Sequence, residues 1–183
     1  MTTPTRVTVE EFLAMEETKP YLELINGEVV PKAMPGPKHS AAVFELSRLI
    51  GNYLHDNPVA RGDTELRHRE RAEERVFLPD VCVTLRSKWP KNAEGPIEVM
   101  PDLAIEILSP DDRTSRVQER IDFYLRVGTS LLWVIDPELE TAAVYRPGKA
   151  QEFHRAAGIL SAHPVLPGFE LDLADFFRVV RDE

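Results

Sequence analysis

Two acids in this chain sit where an ionised carboxylate has no cheap home. Asp80 follows Pro79 at the head of the apolar run Val81-Cys82-Val83, and Glu106 lies inside Leu103-Ala104-Ile105-Glu106-Ile107-Leu108. A buried acid needs a partner. Two such acids on neighbouring strands, with their oxygens near a cleft, suit a hard cation such as Mg2+ or Mn2+. That ion polarises a phosphoryl oxygen and activates water. The plainer alternative for Glu106 is a structural ion pair. Asp102, after Pro101, competes with Asp80 as the second metal-binding acid. Four residues along one strand separate Asp102 from Glu106 by about 13 Å, too far for one small ion. Asp80 needs only strand adjacency, so it is preferred, and Asp102 is expected at a strand start or turn.

Arg113, Arg116 and Arg120 recur at three and four residues, a cationic stripe beside Val117, Ile121 and Tyr124. This places Arg120 at the border of a buried face. There its guanidinium could bind phosphate and stabilise charge, though it is a poor proton acceptor. A solvated stripe paired with Glu119 and other acids is the competing expectation. Glu23 could complete the cation site, and His39, at the start of a helix, could touch phosphate or shuttle a proton. Each is equally at home as a cap or surface residue. His55, His68, His154 and His163 show no metal-ligand spacing, and neither a glycine-rich phosphate loop nor a serine-nucleophile elbow is present.

The elements that must position these groups are legible in outline. Thr8 followed by Glu10 and Glu11 predicts an N-capped short helix ended by Pro20. Asn26-Gly27 predicts a tight hairpin between Leu22–Ile25 and Glu28–Val30. Ala42, Leu46, Leu49, Ile50 and Tyr53 predict a long helix over 39–55. Arg67, Arg69 and Arg71 alternate as on one face of a strand, with Glu65, Glu73 and Glu74 interspersed.

The runs 76–85, 103–108 and 131–135 are short, apolar and rich in β-branched residues, as central strands covered on both faces are. A helix stopping at Gly128 links the second run to the third, which predicts a right-handed parallel crossover. Residues 142–146 and 151–155 predict antiparallel strands, and Asp172 a cap for a final helix. The expected fold is α/β: a mixed sheet core flanked by helices, with additional antiparallel strands at the N- and C-terminal ends.

The 183 residues suit one domain over 1–183. A hydrophobic share of 43% supports a core rather than disorder. The 22 basic and 31 acidic residues give a net charge of −9, which argues against a broadly basic nucleic-acid sleeve. A bound divalent cation reverses the sign locally, so DNA is not excluded. Cys82, the single cysteine, rules out an internal disulfide and suits a reducing cytoplasm. No membrane span or export signal is expected. Free sheet edges suggest a homodimer.

The order of motifs resembles the Uma family of bacterial endonucleases, assigned to the PD-(D/E)XK restriction-nuclease superfamily. The residues that carry the resemblance are YLELINGEVV at 21–30, His39, Leu78-Pro79-Asp80-Val81, PDLAIEILSP at 101–110, Tyr124 with Gly128, and Leu132-Trp133-Val134-Ile135-Asp136-Pro137. The resemblance implies a restriction-endonuclease-like core, Asp80 and Glu106 as metal-binding acids, and Glu23 as a further acid. It also implies a lysine two residues after the glutamate, where Leu108 stands, or on the following helix four residues before the tyrosine, where Arg120 stands. The expected activity is Mg2+-dependent (or Mn2+-dependent) hydrolysis of phosphodiester bonds in DNA. The alternative is a catalytically silent nuclease-fold module that binds nucleic acid or a protein partner.

Overall fold

The computed structural model describes residues 6–181. Its centre is a six-stranded mixed sheet: β3 (Ala60–Thr64), β6 (Val81–Leu85), β7 (Leu103–Ile107), β8 (Leu131–Asp136), β9 (Thr141–Tyr145) and β10 (Glu152–Arg155). The spatial order is β10-β9-β8-β7-β6-β3. Only β7 and β8 run parallel, from Leu103↔Leu131 to Ile107↔Ile135. Helix α3 (Thr114–Arg126) connects them, and Gly128, at φ +97, turns the chain out of that helix as the sequence predicts.

Period-two alternation explains why β7 is apolar throughout. Leu103, Ile105 and Ile107 face one core with Leu46 and Ile50 of α2 (Pro37–Asp56) and Phe176 and Phe177 of α4 (Leu173–Val180). Ala104 faces a second core with Phe77 and with Ile121, Phe123 and Tyr124 of α3. Glu106 therefore points into the α3 layer. Asp172 caps α4 by accepting from the Ala174 and Asp175 amides.

A second sheet, ordered β2-β1-β5-β4, packs beside this core. It comprises β1 (Leu22–Ile25), β2 (Glu28–Pro31), β4 (His68–Glu70) and β5 (Arg75–Phe77). Asn26 and Gly27 take φ +51 and +78, the two positive values that a two-residue hairpin turn needs. Thr8 and Glu11 form the reciprocal cap of α1 (Val9–Leu13). A small hairpin of β11 (Ile159–Ser161) and β12 (Glu170–Asp172) precedes α4.

One expectation needs correction. The run 76–85 is not one strand: β5 belongs to the small sheet and β6 to the large one. Pro79 has no N–H to continue a ladder, so pairing breaks at Leu78-Pro79-Asp80 and the chain changes sheets there. The arginines of the row Arg67, Arg69 and Arg71 are paired: Arg67 with Glu17, Arg69 with Glu98, and Arg71 with Glu10 and Glu98. Among the described residues no helix is long and apolar enough to cross a membrane.

Candidate active site

The break at Pro79 puts Asp80 immediately before β6, whose antiparallel register with β7 begins at Val81↔Ile105. One step further along that register sets Asp80 opposite Glu106, on the same face of the sheet. The Ile107 amide donates to Asp80 Oδ2 at 2.8 Å, which ties the two strands together at this level. Both acids are buried, Asp80 at 2% and Glu106 at 4% exposure.

Each has cationic neighbours. Lys32 Nζ lies 2.7 Å from Asp80 Oδ1 and donates to the Leu78 carbonyl at 2.8 Å. His39 Nε2, from the first turn of α2, is 3.3 Å from Asp80 Oδ2. On the other acid, the Tyr124 hydroxyl donates to Glu106 Oε1 at 2.6 Å, and Arg120 Nη1 lies 3.5 Å from Oε2. Arg120 also donates from Nη2 to Asp112 Oδ1 at 2.7 Å, while Asp112 Oδ2 accepts from the Ser109 amide. The guanidinium thus bridges the end of β7 to α3.

The electrostatics separate the two carboxyls. Burial opposes ionisation of Asp80, but the Lys32 ammonium and the His39 contact outweigh it and hold that carboxyl well below the usual range. Burial dominates for Glu106, only partly offset by Arg120, and the Asp80 charge adds to it, so its carboxyl is pushed up to about 7. Burial works against the charge of Lys32, yet Asp80 and Glu106 more than compensate, leaving the ammonium protonated. Lys32 is therefore a fixed positive donor rather than a base. Arg120 is likewise held charged: burial opposes it, and Glu106 and Asp112 overcome that. Burial, reinforced by the Glu106 charge, keeps the Tyr124 hydroxyl protonated.

Glu23, buried on β1, accepts from the Leu78 amide through Oε1 at 3.2 Å and lines the same cleft as Lys32 and Arg120. That cleft has a volume of about 460 Å³. Asp80, His39, Glu106, Arg120 and Glu23 are thus brought together. Asp102 stands apart from them, with Oδ2 accepting from the Leu85 amide and Oδ1 2.5 Å from Lys88 Nζ, a strand-start anchor as expected. Leu108 packs in the α3-side core.

Lys32 was not among the candidates from sequence. A usable signal was present. The two-residue turn at Asn26-Gly27 pairs Glu23 with Val30, and Lys32 is two residues on, so Glu23 and Lys32 share a face of the hairpin. Tyr124 was visible as part of the apolar stripe of α3, but its bond to Glu106 depends on the crossover.

A mixed sheet flanked by helices, with paired acids at the break of one strand and inside the next, defines a restriction-endonuclease-like nuclease fold. The chain matches the family described as "Uma2: Putative restriction endonuclease" over residues 9–174, and it belongs to that family. It is similar to a solved structure described as a "putative nuclease belonging to DUF820" from Anabaena variabilis, at 32% identity and a TM-score of 0.86. That match covers 95% of this chain and 99% of the other. A relative from Synechocystis sp., "Uncharacterized protein sll1609", is 28% identical over 120 residues, 64% of this chain and 67% of the relative.

Proposed function

We propose that this chain is a divalent-metal-dependent nuclease that hydrolyses phosphodiester bonds in DNA at Asp80 and Glu106. The observation that carries the reading is the facing pair of buried carboxylates across β6 and β7, in a chain of the restriction-endonuclease-like family.

The donor set fits a hard cation, since Asp80, Glu106 and the neighbouring Glu23 offer only oxygen. Among the described residues no cluster of three acids, histidines or cysteines is already gathered as a ligand cage. Asp80 and Glu106 would hold the ion, and Glu23 would assist. When bound, Mg2+ or Mn2+ supplies Lewis-acid polarisation of the phosphate and a more acidic water. Tyr124 orients Glu106 through its hydroxyl, and the Ile107 amide orients Asp80. Lys32 Nζ and the Arg120 guanidinium provide two fixed cations at the mouth of the cleft, where a phosphodiester and the charge it develops would be stabilised. His39 holds the outer side of Asp80 and is placed to reach a phosphate.

A second reading rests on the same contacts. Lys32 and Arg120 already neutralise both acids, as they would in a module that binds nucleic acid without cleaving it. Titration of the purified protein with Mg2+ or Mn2+ in a cleavage assay on plasmid and on a single-stranded oligonucleotide decides between them. Metal-dependent nicking that disappears in Glu106→Gln supports the nuclease. Binding without nicking at any metal concentration overturns it in favour of the silent module.

A further inference from the structure

The paired acids are approached from two sides of different chemistry. On one side lies the cleft that holds Lys32 and Arg120, walled by Arg113 and Arg116. Neighbouring arginines are committed: Arg75 to Glu119, Arg120 to Asp112, and Arg126 to Glu73. Arg113 and Arg116 have no carboxylate partner among the described residues. Glu119 and Asp112 are already engaged, which leaves Asp111 and the buried Glu23 as the acids of this cleft without a salt bridge among the described residues.

On the other side is a hollow of about 400 Å³ that shares Asp80 with the site. Its floor is the stripe Ser40, Phe44 and Ser47 of α2, spaced by four and three residues, and Thr64 and Glu65 face it from the end of β3. Phe44 is 73% exposed, a large apolar ring held open in the hollow that Asp80 also lines. Apart from His39, which also lines the hollow, its ionisable groups are the acids Glu65 and Asp80, which disfavour phosphate there, whereas a flat neutral ring would lie against Phe44 beside the Ser40 hydroxyl. Nucleobases have that character, and aromatic side chains beside a backbone-tracking cationic surface are how unpaired strands are held.

Building on the nuclease reading above, we propose that the site takes a nucleic acid strand that is unpaired beside the scissile phosphate, with one base stacked on Phe44 and adjoining phosphates on Arg113 and Arg116. The substrate class is then single-stranded DNA or a duplex with a single-stranded tail, because a base inside an intact stack cannot reach the ring.

The test is fluorescence anisotropy in EDTA, so that binding is read without cleavage, using a labelled single-stranded oligonucleotide and the blunt duplex of the same sequence. The wild-type protein should bind the single strand more tightly. Phe44→Ala should weaken single-strand binding by about tenfold, within the range for loss of one base–aromatic stack, and leave duplex binding within twofold. Phe44→Trp should retain it. Arg113→Ala with Arg116→Ala should weaken both and flatten the salt dependence of log K by about 1.4 for the single strand, the sum for two phosphate contacts. An unchanged single-strand affinity in Phe44→Ala overturns the proposal, as does a wild-type preference for duplex. So does a change of mass by light scattering in Phe44→Ala, which would assign the ring to a contact between copies. Failure of the nuclease reading looks different: the wild type binds the single strand in EDTA but cleaves no nucleic acid at any Mg2+ or Mn2+ concentration.

Discussion

Replacing Lys32 by methionine removes the ammonium that neutralises Asp80 and keeps much of the apolar stem. The Lys32 side chain is 9% exposed and that of Asp80 3%, so the pair is screened little by water. Removing one partner of a buried pair costs about 3–5 kcal/mol, because the other charge is left behind. The low end, about 3 kcal/mol, is expected here, since the Ile107 amide and His39 remain on Asp80. For a domain of this size that corresponds to a fall in melting temperature of about 6–12 °C. The pH dependence has a definite sign. Asp80 is held below its ordinary value of 3.8, so the stability it contributes is present above that value and is lost as the pH falls through and below it. The gap between wild type and Lys32→Met should be full at pH 7 and should close below about pH 4. Circular-dichroism melts of wild type, Lys32→Met, Asp80→Asn and the double variant measure both the cost and the coupling. A Lys32→Met protein that melts within about a degree of wild type at pH 7 would refute the buried-pair reasoning, as would strictly additive effects in the double variant.

Glu106→Gln should keep the fold and abolish cleavage in the plasmid assay. Because the folded carboxyl is raised from 4.5 to about 7, wild-type stability should fall as pH rises across that interval. The glutamine variant lacks this loss, so metal-free melts should show it ahead at pH 8, by on the order of 3 kcal/mol at most, and level near pH 4.5. Arg120→Ala should slow cleavage by about tenfold or more, since a removed charge-stabilising donor commonly costs that much. It also removes the cation that lowers Glu106, so the acid limb of the pH–rate profile should move to higher pH, and an unmoved limb would exclude direct coupling. Tyr124→Phe strips a donor from Glu106 and should cost about 2 kcal/mol by denaturant melts, with the loss of an order of magnitude in rate checking that the hydroxyl orients the acid.

The order of elements, the hairpin, the parallel crossover and the caps at Thr8 and Asp172 were legible from the chain because each is a local consequence of residue type. Positive φ at Asn26-Gly27, helical spacing in α2 and α3, and apolar runs covered on both faces need no distant partner. Asp80 and Glu106 also declared themselves locally, as acids in apolar settings. Pairings between remote segments were not available in that way. That Pro79 hands the chain from one sheet to another depends on a second sheet being there to receive it. That the ammonium near the acids comes from Lys32, 48 positions before Asp80 by the difference of their numbers, depends on how the N-terminal hairpin docks against β6. Burial likewise belongs to the assembled layers, and it is burial that raises Glu106 while Lys32 lowers Asp80. Local sequence determined which groups could act, and tertiary packing decided their charge state and their neighbours, since Coulomb interactions and desolvation depend on distance in space rather than along the chain.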